Sequence, residues 1–345
     1  MTLYIDGHLD LAYNALAAGR DLTRDLDALR RTHPDALVTL PELQRAGVRI
    51  AFATIFVLPQ QAAPSDSSAA TSALRGHTYS TPDEARTLGL AQLELYERLE
   101  EAGHLRILRT QSDLEAHLAD ARAQGAPLGI VLLLEGADPL RTPDELAAWA
   151  ARGLRIVGPA WQRTRYAGGT HHPGPLSAMG RELIHALREL GLVLDTSHLA
   201  EESFWEALEL GPGHVIASHS NARALVPTDR HLSDAMIRAL GAQGGVIGLV
   251  IANPFLNAHT RRGAPKRETT LEHVRRHAEH VAGLIGWEHL AVGSDFDGGF
   301  GVEDVPVGLT RAADFATLGG AVPEAAREGF LGGNWLRLLR RVLPG

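Results

Sequence analysis

Cysteine is missing altogether, which excludes a disulfide framework, a thiolate nucleophile and any metal site built on sulfur. A metal bound here must be held by imidazole and carboxylate. Lysine is nearly as scarce: the single Lys266 sits in the polar segment RRGAPKRE. That removes a Schiff-base mechanism and a carboxylated-lysine metal bridge, both of which need a buried lysine. Basic runs are lacking too. Lys+Arg 33 against Asp+Glu 41 leaves a net charge of −8, so nucleic acid is not an expected partner. No apolar run approaches the roughly 20 residues that span a bilayer, and no G-x-G-x-x-G or G-x-x-x-x-G-K-[ST] phosphate loop occurs. The first apolar run leads straight into His8. With no room there for a signal peptide, a cytoplasmic protein without membrane attachment is the expectation.

What is present is a repeating alternation. Short runs of Val, Ile, Leu and Ala at residues 3–7, 48–56, 129–134, 154–160, 192–196, 215–218, 246–251 and 290–294 read as strands. Helical stretches lie between them, at 82–101, 144–152, 178–190, 202–210, 233–240 and 270–285. Thr81-Pro82-Asp83-Glu84 carries a cap, a first-turn proline and early acids, which marks a helix start. A chain of 345 residues, 45% hydrophobic, holds a (β/α)8 barrel of about 250 residues plus insertions as one domain. The expected fold is therefore α/β, a (β/α)8 TIM barrel over residues 1–345 with loop insertions at its C-terminal face. An open doubly wound sheet is the alternative. Residues 60–80 and 163–175 are expected as loops over the mouth, and 61–72 as plain surface.

Metal-ligating residue types end five of these runs: His8 and Asp10 in YIDGHLD, Glu135 in GIVLLLEG, His198 in GLVLDTSH, His219 in VIASHS and Asp295 in LAVGSDFDGG. His8 and Asp10, two apart, project to the same side of an extended segment. Glu135 closes an apolar run, where a carboxylate is costly unless it meets a cation, and it is suited to bridge two ions. His198 and His219 would supply imidazoles to the second. Asp295 is the expected proton carrier between water and the leaving amine, with Asp297 capping the following turn. His104, His117, His273, His277 and His280 read as solvated residues of polar helices.

With these residues in hand, the chain resembles the renal (membrane) dipeptidase family of the amidohydrolase superfamily. DGHLDL, LLLEGAD, GLVLDTSH, ASHSNAR, VGSDFDG and GFLGGNWLRLL occur in that order. The resemblance implies two zinc ions per chain, one on His8 and Asp10, the other on His198 and His219, with Glu135 between. It further implies hydrolysis of L,L- or L,D-dipeptides by hydroxide held at the metals, and a homodimer. Arg230 in VPTDRHLSD matches the family's carboxylate-binding arginine, with Arg223 the runner-up. Trp161 stands where family members carry a substrate-contacting histidine; His171 and His172 are nearby substitutes. Trp161 and Tyr79 are the further candidate substrate contacts. Two rival expectations are a related amidohydrolase acting on another amide, such as an N-acyl amino acid, and a metal-binding barrel without turnover.

Overall fold

All eight apolar runs become strands, because each is aliphatic and buried on both faces. They are β1 (Tyr4–Leu9), β2 (Val48–Phe56), β3 (Leu128–Glu135), β4 (Leu154–Gly158), β5 (Val193–Asp195), β6 (His214–Ile216), β7 (Ile247–Leu249) and β8 (Leu290–Val292). The structure, a computed structural model, describes residues 3–62, 77–120 and 126–345. Pairing is parallel and sequential from β1 to β6, and again between β7 and β8. Main-chain bonds close the ring. Ala217 N donates to Val246 O (3.1 Å) and Gly248 N to Ala217 O (2.8 Å) between β6 and β7, and Asp295 N donates to His8 O (3.2 Å) between β8 and β1. The result is the expected (β/α)8 barrel.

The core has two layers, as strand alternation requires. Ile5, Phe52, Val131, Ile156, Ile216 and Ala291 share an inner cluster with Trp335. Trp335 comes from the closing helix Asn334–Val342; its Nε1 donates to Val292 O (2.8 Å) and its ring centre lies 4.9 Å from that of Phe52. Side chains thus fill the barrel beneath the strand ends, which leaves the ends themselves free for chemistry. Leu132 and Leu134 belong instead to an outer cluster with the helix residues Leu183, Leu240 and Val281.

The helix Pro82–Glu101 starts where Thr81 and Glu84 form a reciprocal capping box. Its inward face carries Tyr96, whose hydroxyl donates to Thr54 O (2.7 Å) and accepts from Ala12 N (3.0 Å), tying β2 to the segment after Asp10.

Several features depart from expectation. The region 163–175 is not simple loop: Ala167–Gly169 pairs antiparallel with His172–Leu176. An additional strand, Leu105–Ile107, joins the edge of β3. In the 60–80 insertion, Thr78–Tyr79 pairs with Leu58–Pro59, and residues 63–76 lie outside the described residues. His117 and His277 are buried rather than solvated. His117 Nε2 meets Arg49 O at 2.8 Å, in space that exists because position 129 is glycine. His277 falls on the stripe Val274, His277, Ala278, Val281 that faces the barrel, and its Nδ1 accepts from Ala222 N (3.1 Å). Among the described residues no helix is long and apolar enough to cross a membrane.

Candidate metal centre

The five expected ligands converge at one end of the barrel. His8 lies within β1, Asp10 just past it, and Glu135 is the last residue of β3; His198 and His219 each sit three residues beyond the end of β5 and β6. Glu135 faces both halves of the cluster. Its Oε2 is 3.5 Å from His8 Nε2, while its Oε1 is 3.3 Å from His198 Nε2 and 3.4 Å from His219 Nε2. His8 Nε2 also lies 3.8 Å from Asp10 Oδ1 and 3.9 Å from Asp295 Oδ1. Thr54 Oγ1 donates to Asp10 Oδ1, which holds that carboxylate in place.

These side chains fit a metal. Among the described residues, His8 Nε2 and Glu135 Oε1 are buried without a hydrogen-bond partner, a costly arrangement unless something else engages them. The sets His8, Asp10, Glu135 and Glu135, His198, His219 are each close enough to share a cation. The field asks for positive charge. Burial opposes a proton on His8, but the carboxylates of Glu135, Asp10 and Asp295 outweigh it, and the imidazole is pushed up to about 10. Burial, followed by the Glu135 charge, pushes Asp10 up to about 6. Burial, reinforced by Arg230 for His198 and by His8 for His219, holds both of those rings well below the usual histidine range. Neutral imidazole is the ligating form.

Asp295 adopts a left-handed backbone (φ 60°), as does His198 (φ 65°), a strain that for non-glycine residues concentrates at functional sites. Burial drives the Asp295 carboxyl well above the usual range, with Asp10 and Glu135 adding to it. Asp297 departs from expectation. Its carboxylate accepts from Leu37 N (2.9 Å) and Val38 N (3.0 Å) and pairs with Arg20 Nη1 (3.1 Å), so it anchors the 35–38 segment and does not cap the local turn.

Arg230 is buried beside the cluster. Its Nη2 donates to His219 O (2.8 Å) and its Nη1 to Ser220 Oγ (3.3 Å), while its Nε has no partner among the described residues. Arg223 is bound to Glu201 instead. Trp161 is half-buried, 6.2 Å from the His198 ring and edge-on to Phe56 at 5.2 Å; Phe56 is in turn edge-on to Tyr13 at 5.1 Å. Tyr79 donates to Asp138 (2.5 Å), so its hydroxyl is already committed. His171 turns to Asp229, and both it and His172 are exposed.

Residues not singled out from the sequence complete the setting. Asp6 accepts from Ser294 N (2.7 Å) and Ser294 Oγ (2.5 Å), joining β1 to the turn that bears Asp295. Asp195 plays the same part between β5 and β6, accepting from Ser197 N (3.0 Å) and Ser218 N (2.9 Å). Thr170 Oγ1 lies 3.0 Å from His198 Nδ1. For Asp6 and Asp195 the sequence signal was a carboxylate at an apolar run, two or three residues ahead of a histidine; Thr170 carried none.

A parallel β/α barrel whose strand ends gather imidazoles and carboxylates around a shared glutamate defines a class, the metal-dependent barrel hydrolases. The family model described as membrane dipeptidase, peptidase family M19, matches residues 1–343, and the chain belongs to that family. It is similar to an uncharacterized protein of Klebsiella pneumoniae encoded in a pqqA 5′ region, 33% identical over 70% of this chain and 90% of that one. It is 35% identical to the dipeptidase tcpJ of Claviceps purpurea, over 50% of this chain and 39% of that one. Among solved structures, an M19 metallopeptidase, dipeptidase AC, superposes with a TM-score of 0.83 at 25% identity, covering 100% of this chain and 99% of that one. A metallopeptidase of Rhodobacter sphaeroides, liganded with a phosphinate mimic of the dipeptide L-Ala-D-Ala, superposes with a TM-score of 0.81 at 26% identity, covering 99% and 100%.

Proposed function

We propose that this chain hydrolyses the peptide bond of L,L- or L,D-dipeptides at a centre of two zinc ions. His8 and Asp10 would hold one ion, His198 and His219 the other, and Glu135 both. The observation that carries this reading is the glutamate, each of whose oxygens faces a different set of imidazoles. Three histidines favour zinc over magnesium. Bound there, the ions supply Lewis-acid polarisation of the scissile carbonyl and lower the pKa of water.

The protein's own groups do the rest. Asp295, its carboxyl raised by burial, takes a proton from the attacking water and delivers it to the leaving amine. Arg230, fixed through Nη1 and Nη2 with Nε unengaged, binds the substrate's α-carboxylate. It follows β6, and Phe56 ends β2, diametrically across an eight-stranded ring. A dipeptide held by its carboxylate therefore points its N-terminal side chain at Trp161, Phe56 and Tyr13. The Claviceps purpurea relative's name and the ligand of the Rhodobacter sphaeroides structure support the substrate class.

The test is a substrate panel of L,L- and L,D-dipeptides and N-acyl amino acids, run on chelated protein before and after zinc is restored. Dipeptide cleavage that depends on zinc is expected. Cleavage indifferent to chelation, or confined to acyl amino acids, would overturn the reading.

A further inference from the structure

One hydroxyl lies between the two halves of the cluster. Ser218 Oγ is 2.5 Å from Asp195 Oδ2, 2.8 Å from His219 Nδ1, 3.2 Å from His8 Nδ1 and 3.3 Å from Ser197 Oγ, and the residue is fully buried. A serine hydroxyl has one proton to give and two lone pairs to offer. Its shortest contact is a carboxylate oxygen, which takes the proton. The lone pairs then face two imidazole edges, each of which donates from Nδ1. Both rings thereby carry a proton at Nδ1 and turn Nε2 to Glu135, the orientation a cation requires.

These two rings serve different ion positions. His8 groups with Asp10 and Glu135, and His219 with Glu135 and His198. His8, Asp195 and His219 are also close enough to one another to share a cation, but the Ser218 hydroxyl already stands among all three.

The seat of Ser218 is built by its surroundings. Its N–H donates to Asp195 Oδ1 at 2.9 Å. Its carbonyl oxygen packs so closely against β7 and the end of β8 that a Cβ on Gly248 or Gly293 would lie 2.0 or 1.8 Å from it. Only glycine admits that approach. His198 is supported separately, by Thr170.

We infer that Ser218, oriented by Asp195, is a positioning residue shared by both ion positions, whereas Thr170 positions a ligand of one. The inference rests on the two-ion reading above. The experiment is a zinc titration against a chromophoric chelator on the full chain, comparing wild type with Ser218→Ala, Thr170→Val and Thr170→Ser, alongside the melting temperature of each in chelator. Wild type takes up two ions. Ser218→Ala weakens both by about 10–100-fold, the usual effect of losing an outer-shell partner; Thr170→Val weakens one, and Thr170→Ser restores it. Unchanged metal-free melting temperatures show that the loss is not one of folding. If Ser218→Ala fails to fold, Asp195→Asn is read in the same way and weakens both ions. A wild type that binds one ion defeats the two-ion reading and the inference with it. A wild type with two ions, beside a Ser218→Ala chain that loses affinity at one ion or at neither, defeats the inference alone.

Discussion

Asp295 and Asp297 stand two residues apart on one turn, share a left-handed backbone (φ 60° and 67°) and are equally buried at 6% exposure. Burial raises both carboxyls. Their surroundings nevertheless differ in kind. Asp297 meets a guanidinium and two main-chain N–H groups, whereas among the described residues no group donates a hydrogen bond to the Asp295 carboxylate, and its near neighbour is His8 Nε2 at 3.9 Å. Burial and a perturbed pKa therefore do not by themselves mark a functional acid. What separates the two is whether the fold has already satisfied the group.

That contrast breaks first under substitution. Asp295→Asn is expected to lower kcat on a dipeptide by about 10²–10⁴-fold, the usual worth of a general acid or base, with its melting temperature held. Asp297→Ala is expected to do the reverse. Removing one partner of a buried ion pair costs about 3–5 kcal/mol, read by urea unfolding, while turnover per folded molecule stays close to wild type. If the two phenotypes were exchanged, the comparison would be wrong.

Histidines sharpen the same point. His277 is satisfied by Ala222 N and Leu256 O, and burial lowers it to about 4. Between the unfolded value near 6.5 and the folded value, the unfolded chain binds the proton first, so stability falls as pH drops through that window and is flat outside it. In metal-free protein, His277→Asn is expected to remove about 3 kcal/mol of that pH dependence, measured by urea unfolding from pH 7 to pH 4. An unchanged slope would contradict the assignment. His8 is the opposite case, pushed up to about 10 by the carboxylates of Glu135, Asp10 and Asp295 against the effect of burial. Zinc added to metal-free protein at pH 8 is expected to displace about one proton from it, which a pH-stat records; no release would mean that the ring was already neutral.

The smallest effect concerns the aromatic row. Trp161→His is expected to lower kcat/KM about tenfold for dipeptides with an aromatic N-terminal residue relative to those with glycine. Equal changes for both would remove Trp161 from the substrate's reach.

How much of this was legible in the sequence follows from how local each cause is. The strands and the imidazoles and carboxylates at their ends could be read because aliphatic runs and the polar residues that end them are contiguous. The hairpin after β4 could not be. Its segments AGG and HPGPL lack strand formers and pair because Gly168 lets the chain approach Gly174 closely, where a Cβ would lie 2.5 Å from its carbonyl oxygen. Burial of His117 and His277 depended on which helical stripe met the barrel. Asp195 and Ser218 escaped notice because each takes its role from a partner 23 residues away. Asp297 was misread for the same reason: its true partners, Leu37 and Val38, lie 260 and 259 positions distant.

Anomalous diffraction at the zinc edge, from crystals of the zinc-loaded protein, would locate the ions outright. Two peaks flanking Glu135 are expected, one within ligand reach of His8 and Asp10 and the other of His198 and His219. A single peak, or one seated among Asp195 and the Nδ1 edges of His8 and His219, would rule out a two-ion centre bridged by Glu135.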